Sequence, residues 1–173
     1  MLVLAMIGSF AFAQAQLAES LKAQLVKDWE RAKAYTKEYL EVMPKDKYGF
    51  KAQDSIRTFA QQMLHLSQGT VGLVSNGTGV VRLAWAGRPL ERAASAQSAD
   101  SVAYFVMASY DYAIEAIRTM DASKFEEKVK RGNFDETRLA WIMKGFEHQT
   151  HHRGQATIYI RLLGIKPPNE KLF

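Results

Sequence analysis

The chain has 173 residues, 47% of them hydrophobic and 24% charged, with a net charge of +5 and no cysteine. That length supports one domain with a substantial core, and the composition is that of a globular protein rather than a disordered or membrane-embedded one. The lack of cysteine excludes a Cys nucleophile, a thiolate metal site and a disulfide framework, and the basic residues are scattered rather than clustered, so no nucleic-acid partner is expected.

Residues 1–15 read as an export signal peptide. The opening MLVLAMIGSFAFAQAQ carries no charged side chain, residues 2–13 form an apolar run of the right length, and Ala11 with Ala13, or Ala13 with Ala15, supplies the small-residue cleavage pattern. The run is shorter than the ~20 residues a bilayer span requires, so no stable membrane span is expected. Export to the periplasm or the exterior follows, with a cytoplasmic protein that keeps a buried N-terminal helix turn as the alternative. The domain proper then covers residues 17–173.

From residue 17 the periodicity is helical. Leu17, Leu21, Leu25, Trp29, Ala32, Tyr35, Tyr39 and Val42 recur at three or four until Pro44 stops the helix. After a loop over residues 44–52, Asp54 or Ser55 can cap a second helix through Ile56, Phe59, Met63 and Leu66 to about Val74. The pattern breaks over residues 75–97, where Asn76-Gly77-Thr78-Gly79 and Gly87-Arg88-Pro89 signal turns. A connection of that length can return along the height of a bundle, letting the second and third helices run parallel. Ser98 or Asp100 opens a third helix carrying Val102, Val106, Tyr112, Ala113 and Ile117. Residues 121–132 read as a charged connector with a helical turn around Phe125. Asn133 and Asp135 offer caps for a last helix from about Glu136 to Leu163, ended by Gly164. No segment alternates with the period of a strand, so the expected fold is an all-α four-helix bundle.

Three of the four histidines fall at His148, His151 and His152. On a helix His148 and His152 lie about 6 Å apart and about 40° around one face, so two imidazoles can converge on one ion. They sit on the stripe Trp141, Gly145, His148, His152, Gln155, Tyr159, Leu162, where a polar group in a dry core is costly unless it is bonded. His65, in the middle of the second helix, is the natural third partner, because ligands from facing helices meet in a bundle core. His151 rivals His152, since positions i and i+3 also face one another; His152 is favoured, with His151 left to an outer position or solvent. Three imidazoles and an open fourth position form the pattern of a catalytic zinc, and nickel, iron or cobalt also accept imidazole.

Such an ion activates a water or a thiol, or polarises a carbonyl, so hydrolysis and group transfer on a small molecule are both within reach. A proton acceptor is harder to name. Glu147 is turned about 100° away from His148, and Asp111 and Glu115 on the third helix read as a solvated face. Gln155 lies one turn past His152 and can orient a ligand; Arg153 can pair with a carboxylate or bridge helices. Gly145 reads as space beside the ion and Gly154 as close approach of a helix, and both are equally compatible with plain packing. Tyr104, Tyr110, Tyr112 and Met107 read as core more than as a pocket wall. A noncatalytic metal-binding module, stress-related and serving binding or interaction, is the alternative to an enzyme.

Residues 43–50 (Met-Pro-Lys-Asp-Lys-Tyr-Gly-Phe), Ile56-Arg57-Thr58-Phe59 and Leu64-His65-Leu66 resemble the start of DinB family proteins. His148-x-x-His151-His152-Arg153-Gly154-Gln155 and residues 161–168 (Arg-Leu-Leu-Gly-Ile-Lys-Pro-Pro) resemble the family's last helix and tail. The resemblance implies up-down-down-up connectivity and a divalent metal held by one histidine of the second helix and a His-x3-His pair of the fourth, here His65, His148 and His152. It also implies a possible homodimer. Relatives include thiol S-transferases using bacillithiol or mycothiol and a mycothiol-dependent isomerase, and many members have no known reaction.

Overall fold

The computed structural model describes residues 2–173, with side chains from Phe12 onward. The export-peptide expectation rests on residues 1–15, of which Met1 and the side chains of residues 2–11 lie outside the described part. Four helices make up most of the chain: α1 (Leu2–Val42), α2 (Phe59–Thr78), α3 (Ala99–Thr119) and α4 (Arg138–Leu162). Among the described residues, no helix is long and apolar enough to cross a membrane.

Along α1 the apolar stripe engages the core from Leu25 onward, and Leu17 and Leu21 are exposed. Trp29, Ala32, Tyr35, Tyr39 and Met43 are buried. The cap of α2 lies beyond the expected Asp54 or Ser55, at Thr58. Its side chain accepts from the Gln61 backbone N–H at 3.1 Å while the Gln61 side chain accepts from the Thr58 N–H at 2.9 Å. This reciprocal capping box satisfies two end donors at once. Ile56, expected inside the helix, is exposed ahead of it. α2 runs through Gly77 and ends at Gly79, whose φ of 79° is the left-handed C-cap conformation that glycine adopts without strain.

The long crossover contains two 3₁₀ turns, Leu90–Arg92 and Ala94–Ala96. The Gln68 amide donates to the carbonyls of Ala86 and Arg88, both at 2.7 Å, which pins the crossover against α2. Ser98 caps α3, as expected.

One expectation fails in the last connection. Residues 128–137 form an antiparallel hairpin, β1 (Lys128–Arg131) and β2 (Phe134–Thr137), with Arg131 facing Phe134 across a Gly132-Asn133 loop. Gly132 takes φ 58°, the positive value that the first loop position of a II′ turn requires. Nearly every strand residue is exposed, so no alternation of apolar and polar residues marked the strands. Asp135 therefore pairs with Lys130 in the ladder, and Thr137, rather than Asn133 or Asp135, caps α4. The hairpin is fastened to α4 by Trp141, whose indole N–H donates to the Val129 carbonyl at 3.1 Å.

Side-chain pairs set the helix registers. Lys45 with Asp100, Thr36 with Tyr110 and Lys22 with the Met120 carbonyl place α1 antiparallel to α3. Gln62 with His152, Gly69 with His148 and Gly77 with Arg138 place α2 antiparallel to α4. The α2–α4 seam is the most extensive in the molecule, and α1 meets α4 more sparsely. A polar network bridges that sparser seam. Arg153 donates to Gln149 at 3.0 Å and lies 4.5 Å over the Tyr35 ring, while the Tyr110 hydroxyl donates to Gln149 at 2.8 Å. Arg153 thus bridges helices and has no carboxylate partner among the described residues. Tyr110 and Tyr112 belong to the core, and Tyr104 is exposed.

The glycines of α2 and α4 divide sharply. A Cβ on Gly77 would lie 2.6 Å from the Arg138 carbonyl oxygen and 2.8 Å from Ile142. Gly154, expected to admit a neighbouring helix, has nothing within 4 Å of an added Cβ. Gly77→Ala should therefore destabilise by ~1–3 kcal/mol through overpacking against backbone. Gly154→Ala should stabilise by about 0.5–1 kcal/mol through helix propensity. Urea unfolding of the two variants checks the opposite signs.

Candidate metal centre

The structure brings His65 of α2 together with His148 and His152 of α4, one ring nitrogen of each lying within 4.8 Å of the others. Ring centroids are 4.4 Å apart for His148 and His152, 4.6 Å for His65 and His152, and 5.2 Å for His65 and His148. The spacing of four along α4 stacks two rings on one face, and the antiparallel seam with α2 presents the third.

Gly69, one turn past His65, makes room for this arrangement. A Cβ there would come within 2.1 Å of Cε1, 2.6 Å of Nε2 and 2.7 Å of Nδ1 of His148. Gly145 serves the seam instead of the ion, since its missing Cβ faces Val74, Leu73 and Trp29. His148 carries the other telling feature: its buried Nδ1 has no hydrogen-bond partner. A buried, unsatisfied polar atom costs about 1–3 kcal/mol, and a cation bound to the ring offsets such a cost.

Burial is the largest influence on both α4 rings. It lowers the His148 pKa to about 4, with neighbouring His65 adding to the effect, and that of His152 to about 3, with His148 and His65 adding. Both imidazoles are therefore neutral at neutral pH, and each keeps a lone pair for an ion.

Outer partners surround the rings. Nε2 of Gln62 lies 2.8 Å from Nδ1 of His152 and donates to Oε1 of Gln155, whose Nε2 in turn meets Nε2 of His151 at 2.9 Å. When the Gln62 carbonyl accepts from Nδ1–H, Nε2 of His152 is free to coordinate, and reversing both amides preserves the whole relay. His151 is exposed and lies outside the group of three, and Gln155, also exposed, links Gln62 to His151. At His65, Nδ1 lies 2.8 Å from Glu91 Oε1, and Glu91 Oε2 accepts from Arg57 Nε at 2.6 Å. Burial opposes the Glu91 charge, yet the hydrogen bonds from Arg57 and His65 more than offset it and hold the carboxyl below the usual range.

Glu91, Gln62 and Gly69 escaped sequence reasoning. Glu91 lies in a crossover without periodicity, whereas a glycine inside the α2 pattern was a readable sign of close approach. The carboxylates considered as bases are exposed and paired: Glu147, which lines a cleft beside His148, with Lys144, Asp111 with Lys33 and Glu115 with Arg118. Leu162, expected on the buried stripe, is exposed.

Two clefts flank the histidines along the α2–α4 groove. One, of about 700 Å³, is lined by Lys51, Arg57, Gln62, Glu91, Gln155 and Tyr159 among others. The other, of about 640 Å³, has Leu73, Phe134, Trp141, His148 and His151 in its walls. The triad thus sits between a recess of mixed polar and apolar lining and a largely apolar one.

A model of the DinB family matches residues 14–172. The chain belongs to the DinB family. The crystal structure of a DinB-like protein from Bacillus cereus is similar over 85% of this chain and 95% of that one, with 18% identity and a TM-score of 0.72. The DinB-like protein YjoA of Bacillus subtilis covers 87% of this chain and 96% of its own, with 15% identity and a TM-score of 0.59. At these identities the likeness is one of fold. No curated protein matches the sequence. Within this DinB fold the three-histidine group is one that could hold a metal ion.

Gly69→Ala should leave the helices intact and weaken zinc binding by about tenfold or more, because the methyl group displaces the His148 ring from the group. Calorimetric titration with zinc, beside a circular dichroism melt, measures both effects.

Proposed function

We propose that this DinB protein is a divalent-metal-dependent enzyme, a hydrolase or transferase acting on a small molecule, with the ion held by His65, His148 and His152. The observation that carries the reading is the orphaned Nδ1 of His148 inside a cluster of three convergent imidazoles. Zinc suits three neutral nitrogen ligands, and nickel, iron and cobalt suit them too. Up-down-down-up connectivity belongs to the same proposal, supported by the antiparallel α1–α3 and α2–α4 registers together with the pairing of Thr36 with Arg153 and Tyr39 with Thr157.

When bound, such an ion lowers the pKa of a coordinated water toward ~7 and polarises a carbonyl. The protein's own residues do the rest. Gln62 orients His152, Glu91 orients His65, and Gly69 seats His148. The two clefts give a substrate access from either end of the groove, one through Lys51 and Arg57 and the other past Phe134 and Trp141.

One observation favours a noncatalytic metal-binding role instead. Both oxygens of Glu91, the carboxylate nearest the histidines, are already engaged by His65 and Arg57, and Asp111, Glu115 and Glu147 are paired elsewhere. Azide added to the cobalt-substituted protein separates the readings. A changed visible spectrum marks an exchangeable position and supports the enzyme, and an unchanged one supports the binding module.

The metal reading is tested first on protein purified without a histidine tag. About one equivalent of a transition metal is expected, lost in His65→Ala and His148→Ala, and lost more severely in His152→Ala than in His151→Ala. Metal-free protein that cannot be reconstituted overturns it.

We place this activity outside the cytosol, on the uncharged apolar run of residues 2–13 and its A-x-A pattern. A mature N-terminus near Gln14 or Gln16 in an exported fraction is the expected result, and a cytosolic protein retaining Met1 overturns it.

A further inference from the structure

We infer that Glu91 is a positioning residue that selects the coordinating tautomer of His65, in competition with Arg57 for the same ring nitrogen. The inference rests on the metal reading above. It begins from a conflict at one atom: Nδ1 of His65 lies 2.8 Å from Oε1 of Glu91 and 3.1 Å from Nη2 of Arg57. A carboxylate oxygen only accepts, and a guanidinium nitrogen only donates. Nδ1 therefore satisfies one neighbour at a time.

The two choices have opposite consequences at the far side of the ring. With a proton on Nδ1, His65 donates to Glu91, and Nε2 keeps its lone pair for an ion. With a lone pair on Nδ1, His65 accepts from Arg57, the proton sits on Nε2, and that nitrogen is closed to coordination. The partner of one ring nitrogen thus decides what the other can do.

The geometry around Glu91 favours the first choice. Its Oε2 accepts from Arg57 Nε at 2.6 Å, which holds the carboxylate in place, and its Oε1 lies nearer to Nδ1 than Arg57 Nη2 does, 2.8 Å against 3.1 Å. Arg57 also balances the carboxylate charge, so Glu91 can orient the ring without adding net negative charge beside the ion. The backbone that delivers Glu91 is fixed independently of its side chain. Gln61 donates to the Glu91 carbonyl at 3.0 Å, Gln97 donates to the Leu90 carbonyl at 2.9 Å, and Leu90 is buried. The crossover, an unpatterned stretch in the sequence, is in this view the element that completes the site.

The test compares wild type, Glu91→Gln, Glu91→Ala and the double variant Glu91→Ala/Arg57→Ala. Zinc affinity is read by competition with a chromophoric chelator, and the His65 tautomer by ¹⁵N NMR of the metal-free protein. Glu91→Ala should bind zinc ten- to a hundredfold more weakly and carry its His65 proton on Nε2. Glu91→Gln, whose amide oxygen still accepts from Nδ1–H, should fall between. Removing Arg57 from the Glu91→Ala background should recover part of the lost affinity, a result that mere damage to the crossover would not give. Unchanged zinc affinity in Glu91→Ala, or an Nδ1–H tautomer retained there, overturns the inference. If the wild type binds no zinc, the metal reading fails on its own, and the metal-free spectra of wild type and Glu91→Ala still decide which neighbour sets the tautomer.

Discussion

The close approach of α2 and α4 is the constraint on which the rest of the molecule depends. At Gly77 the backbone of α2 comes so near the start of α4 that a methyl group would meet the Arg138 carbonyl, and two turns earlier Gly69 lets the His148 ring lie against α2. Each glycine interrupts a helix at about 1 kcal/mol relative to alanine. What that sacrifice allows is an antiparallel seam tight enough for His65 to face two rings of the opposite helix. A seam wider by one side-chain layer would part His65 from the His148–His152 pair.

The opposite side of the bundle is built differently. Where α1 meets α4, polar side chains fill the gap: Thr36, Tyr110 and Gln149 are fully or almost fully buried, and Arg153 sits among them over Tyr35. A buried network of this kind is favourable only when its members are bonded to one another, and here Gln149 accepts from both Tyr110 and Arg153. It fixes the rotation of α4, since Gln149 and Arg153 must point toward α1 for the bonds to form. That rotation turns His148 and His152 toward α2. The polar core and the histidine cluster are thus two faces of one helix, each set by the other.

Periodicity made the four helices legible in the sequence, because Trp29, Phe59, Val102 and Ile142 must each be buried and their neighbours on the same faces recur at three or four. The histidine group was legible for the same reason: a spacing of four on a core-facing stripe carries a geometric meaning. Caps were less so, since Asp54, Ser55 and Thr58 can each play that part and only the reciprocal bond with Gln61 selects Thr58. The hairpin left no apolar alternation because its strands are solvated on both sides; Gly132-Asn133 was its one local sign. Glu91 could not be read at all. Its role comes from a crossover folding back onto α2, a long-range event with no period, and it became visible only when Gln61 and Gln68 were seen holding that crossover in place.

The charge balance around the histidines bears on what chemistry the groove can support. Burial keeps His148 and His152 neutral, and the one adjacent carboxylate is matched by Arg57. A cation in such a surrounding keeps its full charge, unlike one held by carboxylate ligands, and full charge is what acidifies a bound water or thiol most strongly. Glu91, the carboxylate bonded to His65, has both oxygens engaged by His65 and Arg57, so an ion held here would act chiefly through its electrostatic pull. One end of the α2–α4 groove presents Lys51, Arg57 and three glutamines, and the other presents Leu73, Phe134 and Trp141. The lining of the groove thus changes from more polar to largely apolar across the histidines.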